Sequence, residues 1–244
     1  MSIGNNDIEF SVLGNLEVRA GGRPIEIRGM TGNRLAGALL IHPNVWLPEN
    51  KLTELVWDDA DTTRNALHCA IARLRRLLTG GAQIQYSQAG YRILVAPDQL
   101  DSLKFLALCQ RTAVAVDQVT RFDLLTRALR LWRGSVLANV CDALGACSNA
   151  VALKRARLSC ACELADLATQ LGQENIALPL VEELALAEPF DEPVQASLML
   201  LLGGSGRRAA GLHLYDRIRR NLANELGVDP SHVLEEAFQV LLTR

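Results

Sequence analysis

Between positions 64 and 76 this 244-residue chain places Arg64, Asn65, His68, Arg73, Arg75 and Arg76 within the stretch TTRNALHCAIARLRRLL, and no acidic residue falls among them. A guanidinium offers a planar fork of donors that matches a phosphate or the edge of a guanine. Amide and imidazole groups beside it can read other base edges. The chemistry of this set is recognition of a polyanion rather than bond making. The formal net charge of −2 argues against a chain-wide basic field, so the basic character is local. Non-specific affinity for nucleic acid should then be modest, because it scales with the phosphates neutralised. Asp58, Asp59 and Asp61 stand just before the stretch, near a helix start where the dipole favours carboxylates.

To present these groups together the stretch must be a helix over 62–78. Leu67, Ala70, Ile71, Leu74, Leu77 and Leu78 recur at helical spacing and form one apolar stripe. The following segment, QIQYSQAGYRILV, alternates apolar and polar residues and bends around Gln88–Gly90, as a short hairpin does. A helix with one buried stripe and one cationic face, backed by a hairpin, is how a winged helix meets DNA. Arg75 shares a face with Arg64, His68 and Ala72, whereas Arg73 and Arg76 share one with Asn65 and Cys69. Both faces flank the stripe, so spacing leaves open which points into a groove. The bland reading of these arginines is a solvated helix face. Asn65 suits a phosphate at the helix N-terminus or a cap, with Thr62 and Thr63 as rivals. His68 suits a base edge or solvent. Gln88 lies at the hairpin tip, in position for a minor groove. Arg92 suits a phosphate or plain surface, and Tyr91 is expected to pack the wing onto its domain.

The surrounding elements follow from pattern. Residues 8–28 alternate around Ala20-Gly21-Gly22 and predict a small sheet. Helices are predicted over 31–42, stopped by Pro43-Asn44, and from Pro48 through Trp57. Pro97-Asp98 marks a boundary between a domain at 1–97 and another at 98–244. Beyond it the pattern is helical at about 101–117, 121–133, 148–171, 174–188, 190–204, 207–225 and 231–243. Gly172-Gln-Glu-Asn-Ile-Ala-Leu returns as Gly206-Arg-Arg-Ala-Ala-Gly-Leu, an offset of 34 residues that matches the tetratricopeptide period. A helical-hairpin array of that kind leaves a concave surface for partners; a generic helical bundle is the alternative.

Composition bounds the remainder. Aromatic content is 5% against 49% hydrophobic residues, which favours helices rich in Leu and Ala. Cys69, Cys109, Cys141, Cys147, Cys160 and Cys162 fall mostly within predicted helices, without zinc-like spacing, and are expected to be reduced and structural. With no basic-then-apolar start and no long apolar run, the expected compartment is cytoplasmic, with no membrane partner. Histidines at 42, 68, 213 and 232 lack metal-ligand spacing. Glu182-Glu183 cannot face each other on a helix. No phosphate loop or catalytic triad pattern occurs, so neither an enzyme nor a cofactor is expected. Trp46, Trp57 and Trp132 are expected in cores. Asp216, Arg217, Arg219 and Arg220 make a charged helix surface, either solvated or available to a partner, and His213 and Tyr215 are ordinary repeat residues.

Several of these blocks resemble the antibiotic regulatory protein (SARP) family of actinomycetes: FSVLGNLEV, RNAL…RLRRLL and GYRI, then ALRLWRGSVLANV at Ala128–Val140, then Ser197–Pro230 ending in ELGVDP. The resemblance covers nearly the whole chain. It implies a mostly α fold with a small β component, in which an OmpR-like winged helix-turn-helix domain is followed by an all-α TPR-like bacterial transcriptional activator domain. It further implies a transcriptional activator that binds direct repeats in double-stranded DNA as side-by-side copies, a homodimer on DNA. Contact with RNA polymerase and control of secondary-metabolite genes belong to the same implication. The chain is expected to be a short member without an ATPase module, and without a receiver domain no phosphorylation switch is expected. It departs from the family pattern at His68, Ala70 and Ala72 on the groove face, where the family usually carries Gln, His and Ser. It departs again at Met30-Thr31-Gly32-Asn33, where a lysine is usual, and at Ser87, where an arginine is common. These departures imply weaker binding or an altered sequence preference. They motivate the rival expectation, a TPR-like interaction or ligand-sensing scaffold with weakened or lost DNA binding.

Overall fold

The computed structural model describes residues 8–57, 64–78 and 82–243. The chain is mostly helical with a small β component, and its described residues divide into two compact units. One holds residues up to Ala107 together with Leu131–Lys154, and the other holds Leu108–Arg130 with Arg155 onward.

In the first unit the alternation near the N-terminus becomes a three-stranded antiparallel sheet of β1 (Ile8–Ser11), β2 (Glu17–Ala20) and β3 (Arg23–Pro24). Three helices follow, α1 (Met30–Leu40), α2 (Glu49–Val56) and α3 (Arg64–Leu77), each packed against the other two. Leu35, Leu39, Leu52, Leu67, Ile71 and Leu74 meet in their shared core. Leu77 departs from its expected place in the α3 stripe and is exposed. The buried positions 67, 71, 74 and 78 already complete the inward face, and residue 77 falls beside it. The hairpin is β4 (Gln83–Ser87) and β5 (Gly90–Leu94), turning at Gln88–Ala89. Its free edge is partly covered. Leu47 and Tyr91 exchange both backbone hydrogen bonds, at 2.8 and 2.9 Å, and Asn44 donates its backbone N–H to the Ile93 carbonyl.

Residues 131–147 correct the helix expected to run to 133. Helix α5 (Gln118–Leu129) ends early, and the chain then lies along Val12–Gly14, the residues that follow β1. Arg133, Leu137 and Ala138 donate their N–H groups to the carbonyls of Leu13, Val12 and Gly14. Trp132 packs edge-on against Phe105 at 5.4 Å. Asp101, at the start of α4 (Asp101–Val114), is buried and accepts from the Val12 and Leu13 N–H groups and from Arg133. Burial pushes its carboxyl above the ordinary value, while those donors pull it back. The short helix α6 (Asp142–Gly145), absent from the sequence expectation, rests on α1.

The second unit is built from the later part of α4, α5, the later part of α7 (Ser148–Leu171), α8 (Glu174–Ala187), α9 (Glu192–Gly204), α10 (Arg208–Asn221), a π-turn at Leu222–Leu226 and α11 (His232–Thr243). Helix α9 packs against α8, α10 and α11. The 34-residue repeat has a backbone cause. Gly172 and Gly206 both adopt positive φ, 65° and 78°. The N–H groups of Gln173 and Arg207 then reach back to the carbonyls of Ala168 and Leu202. This six-to-one bond is the helix stop that glycine favours, and it turns α7 into α8 and α9 into α10. Helix α5 starts at Gln118 rather than 121, because Asp117 caps it by accepting from the Thr120 N–H at 2.7 Å.

Candidate nucleic-acid interface

Helix α3 carries Arg73, Arg75 and Arg76 in its last turns and no acid in its first turn. Its buried positions 67, 71 and 74 hold it on α1 and α2, so the remaining surface splits into two outward faces. The structure separates what spacing left open. On one face Asn65, Cys69, Ala72, Arg73 and Arg76 are all exposed. Arg76 Nε lies 3.4 Å from the Ala72 carbonyl one turn back, which aligns its side chain along the helix. Arg73 makes no hydrogen bond or ion pair among the described residues.

The other face turns to the hairpin. Arg75 donates from Nε and Nη2 to the Ile84 carbonyl at 3.0 and 2.8 Å, and its guanidinium carbon stands 5.9 Å from the Tyr91 ring centre. His68 lies edge-on to both Tyr86 and Tyr91, at 6.5 and 6.3 Å. Its Nε2 is 3.7 Å from a carboxylate oxygen of Glu49, at the start of α2. Thus His68 and Arg75 tie α3 to β4, β5 and α2. Their outer edges remain exposed. The expected wing packing by Tyr91 is present: it is buried and stacks obliquely with Tyr86 at 4.9 Å.

On the opposite face of the hairpin Arg92 is half-buried. It donates to Gln85 at 2.7 Å and lies 4.3 Å above the Trp46 ring, a cation–π contact. Trp46 is itself half-buried, as is Trp57, and Trp132 is the tryptophan fully in a core. Gln88 is exposed at the tip. The hairpin sits close enough to the Leu47–Pro48 backbone that a Cβ at Gly90 would overlap the Leu47 carbonyl oxygen, and Gly90 has φ 109°. Glycine at this position is what permits the wing to dock.

The side chain of Arg64, Thr62 and Thr63 as cap rivals, and Asp58, Asp59 and Asp61 lie outside the described residues. Of the departures read from the sequence, Ala72 is exposed on the solvent face of α3, while Ala70 and Ser87 are half-buried. What the arrangement can do chemically is present two guanidinium groups and an amide on one solvent-facing stripe, without a carboxylate on the same helix. A hairpin tip stands beside them.

Residues 100–242 match the sequence model of the bacterial transcriptional activator domain. Across 96% of its length the chain is 25% identical to the transcriptional regulatory protein MoaR1 of Mycobacterium tuberculosis, of which it spans 79%. It is 31% identical, again over 96% of its length, to the regulatory protein AfsR of Streptomyces coelicolor, a longer protein of which it spans 24%. Its fold is similar to that of Mycobacterium tuberculosis EmbR in complex with a low affinity phosphopeptide, with a TM-score of 0.78 at 24% identity over 97% of this chain and 65% of that one. Among the described residues no helix is long and apolar enough to cross a membrane. With well over half its length matched by one domain model and relatives of the same regulatory kind, the chain belongs to the bacterial transcriptional activator domain family, as a transcription regulator of the antibiotic regulatory protein type.

Proposed function

We propose that this chain is a sequence-specific, DNA-binding transcriptional activator of the cytoplasm, in which residues 1–97 bind DNA and residues 98–244 serve activation. Helix α3 enters the major groove with Asn65, Arg73 and Arg76 foremost, joined by Arg64 at its start. The hairpin lies along the backbone, with Gln88 toward the minor groove. His68, Arg75 and Arg92 each make contacts within the domain and act mainly by holding α3 and the wing in register, with their exposed edges available to phosphates. Two copies lie side by side on a direct repeat and recruit RNA polymerase to genes of secondary metabolism.

The observation that carries this reading is the exposed Asn65–Cys69–Ala72–Arg73–Arg76 stripe on α3. A guanidinium that makes no ion pair within the described protein, as at Arg73, is available to an external anion. A recognition helix reads base edges from one exposed face lying in the major groove, and this stripe is such a face on α3.

Genome-wide mapping of bound sites, followed by gel-shift titration on a recovered site, tests it. The expected result is a footprint on two half-sites of the same orientation, with affinity falling as salt rises. Arg73→Ala with Arg76→Ala should weaken binding about 10-fold or more and flatten the salt slope by roughly 1 per phosphate contact removed. Equal affinity for recovered and random DNA would instead favour the second reading, an interaction or ligand-sensing scaffold whose winged helix has lost recognition. The small side chains of Cys69 and Ala72 within the stripe favour that alternative.

A further inference from the structure

Cysteine spacing suggested no pairing, yet α4 and α7 bring the sulfurs of Cys109 and Cys160 to 3.3 Å, across 51 residues of sequence. Both residues belong to the second unit. Cys160 is buried, Cys109 is half-buried, and all six cysteines are free thiols. Among the described residues no second pair of thiols is in hydrogen-bond contact. We propose that Cys109 and Cys160 form a peroxide-sensitive dithiol that closes to a disulfide between α4 and α7.

Three observations support the assignment. The first is distance. A disulfide has an S–S bond of about 2.04 Å, so from 3.3 Å the sulfurs must close by roughly 1.3 Å to bond. The second is a division of labour between the thiols. The Cys160 thiol can donate to the Cys109 sulfur, which favours a thiolate there and holds Cys109 below the ordinary thiol value. The same bond, reinforced by burial, pushes Cys160 well up. The thiolate is the nucleophile, so Cys109 attacks first and Cys160 keeps its proton until its turn. The nearby Glu163 carboxylate opposes thiolate formation at both sulfurs, and its ion pair with Arg121 offsets part of that charge. The third is access: the partly exposed member of the pair is the one inclined to ionise, and susceptibility to oxidation follows thiolate character and exposure together.

The steps balance with hydrogen peroxide as oxidant. The Cys109 thiolate attacks one peroxide oxygen, an S–O bond forms, the O–O bond breaks, and the leaving hydroxide takes up a proton as water. Cys109 is then a sulfenic acid. The Cys160 sulfur attacks the Cys109 sulfur, the S–S bond forms, the S–O bond breaks, and hydroxide leaves with the Cys160 proton as a second water. Two thiols are oxidised and one peroxide is reduced. In a reducing cytosol such a bridge is transient, as redox-sensing disulfides are.

The test uses the full chain, treated with graded hydrogen peroxide, alkylated, digested and mapped without reduction. The expected first product is a linked peptide joining Cys109 to Cys160, with Cys69, Cys141, Cys147 and Cys162 still alkylated. Cys160→Ser should stop at a sulfenic acid on Cys109, captured by a dimedone probe. Cys109→Ser should leave Cys160 unoxidised over the same dose range. Circular dichroism checks each variant, and if Cys160→Ser fails to fold the wild-type map and Cys109→Ser still decide. The proposal is overturned if Cys109 stays a free thiol while other cysteines react. It is equally overturned if Cys109 reaches sulfinic acid without a linked peptide, or if Cys160 is oxidised as readily in Cys109→Ser.

Discussion

Arg75 and Arg76 are neighbours in sequence with different surroundings. Arg75 forks onto the Ile84 carbonyl, and Arg76 runs along the exposed face of α3. The fork is a property of guanidinium geometry, since an ammonium is a single point of charge on a flexible stem. Arg75→Lys should therefore keep the charge but lose the paired contact to β4, lowering stability by about 1–2 kcal/mol. Arg73→Lys on the solvent face should stay within about 0.5 kcal/mol of wild type. Urea unfolding of both variants checks this, and equal midpoints would remove Arg75 from its role as the clamp between helix and wing. Arg92 makes the same point on the other side of the hairpin, where stacking over Trp46 and the bond to Gln85 give a basic residue a packing role.

At the scale of elements, the wing depends on its turn. Gly90 combines a φ of 109° with a backbone approach that leaves no room for a Cβ. Gly90→Ala should shift the hairpin away from Leu47, break the paired bonds between Leu47 and Tyr91, and cost about 2–4 kcal/mol. The expected readout is a lower melting temperature, with loss of amide-exchange protection confined mainly to β4, β5 and residues 44–47. Helix α5 offers a pH test. Its cap, Asp117, accepts from the Thr120 side chain and N–H, and this holds its carboxyl below the ordinary value of 3.8. A depressed folded-state value means that the contribution to stability is present above the ordinary carboxylate range. It is lost as pH falls through the folded-state value. The wild type should lose helix signal relative to Asp117→Asn as pH is lowered below 3.8, because an amide cap does not titrate. Parallel acid titrations followed by far-ultraviolet circular dichroism measure the difference, and superimposable curves would remove Asp117 from the helix start.

For the molecule as a whole, the balance of charge sets how DNA is met. A net charge of −2 provides no broad attractive field, so long-range steering is weak and binding rests on a few local contacts. Affinity for a verified site should fall with salt at a slope of only about −2 to −4 on logarithmic axes, at roughly 0.9 per phosphate neutralised. A titration between low and physiological salt measures it, and a slope near −8 would show that a much larger basic surface takes part.

Much of the architecture was legible in the residue pattern. Helical periodicity located the helices, including α7 at Ser148–Leu171 with the expected bounds, and the pairing of turn residues located the hairpin. The 34-residue repeat was visible because a helix stop requires glycine at a left-handed position, as at Gly172 and Gly206, and that requirement is local. Other features follow from contacts between residues distant in sequence, which no local period encodes. They include the choice of Arg75 over Arg73 for the hairpin, the path of residues 131–140 along Val12–Gly14, and the meeting of Cys109 with Cys160. The sequence by itself determined where the chain coils, where it turns and which family it belongs to, because propensity, periodicity and motif act over a few turns of backbone. Only the tertiary structure decided which side chains of one helix are used in holding the fold and which are left facing solvent. That choice depends on which carbonyls, rings and carboxylates the rest of the chain brings alongside.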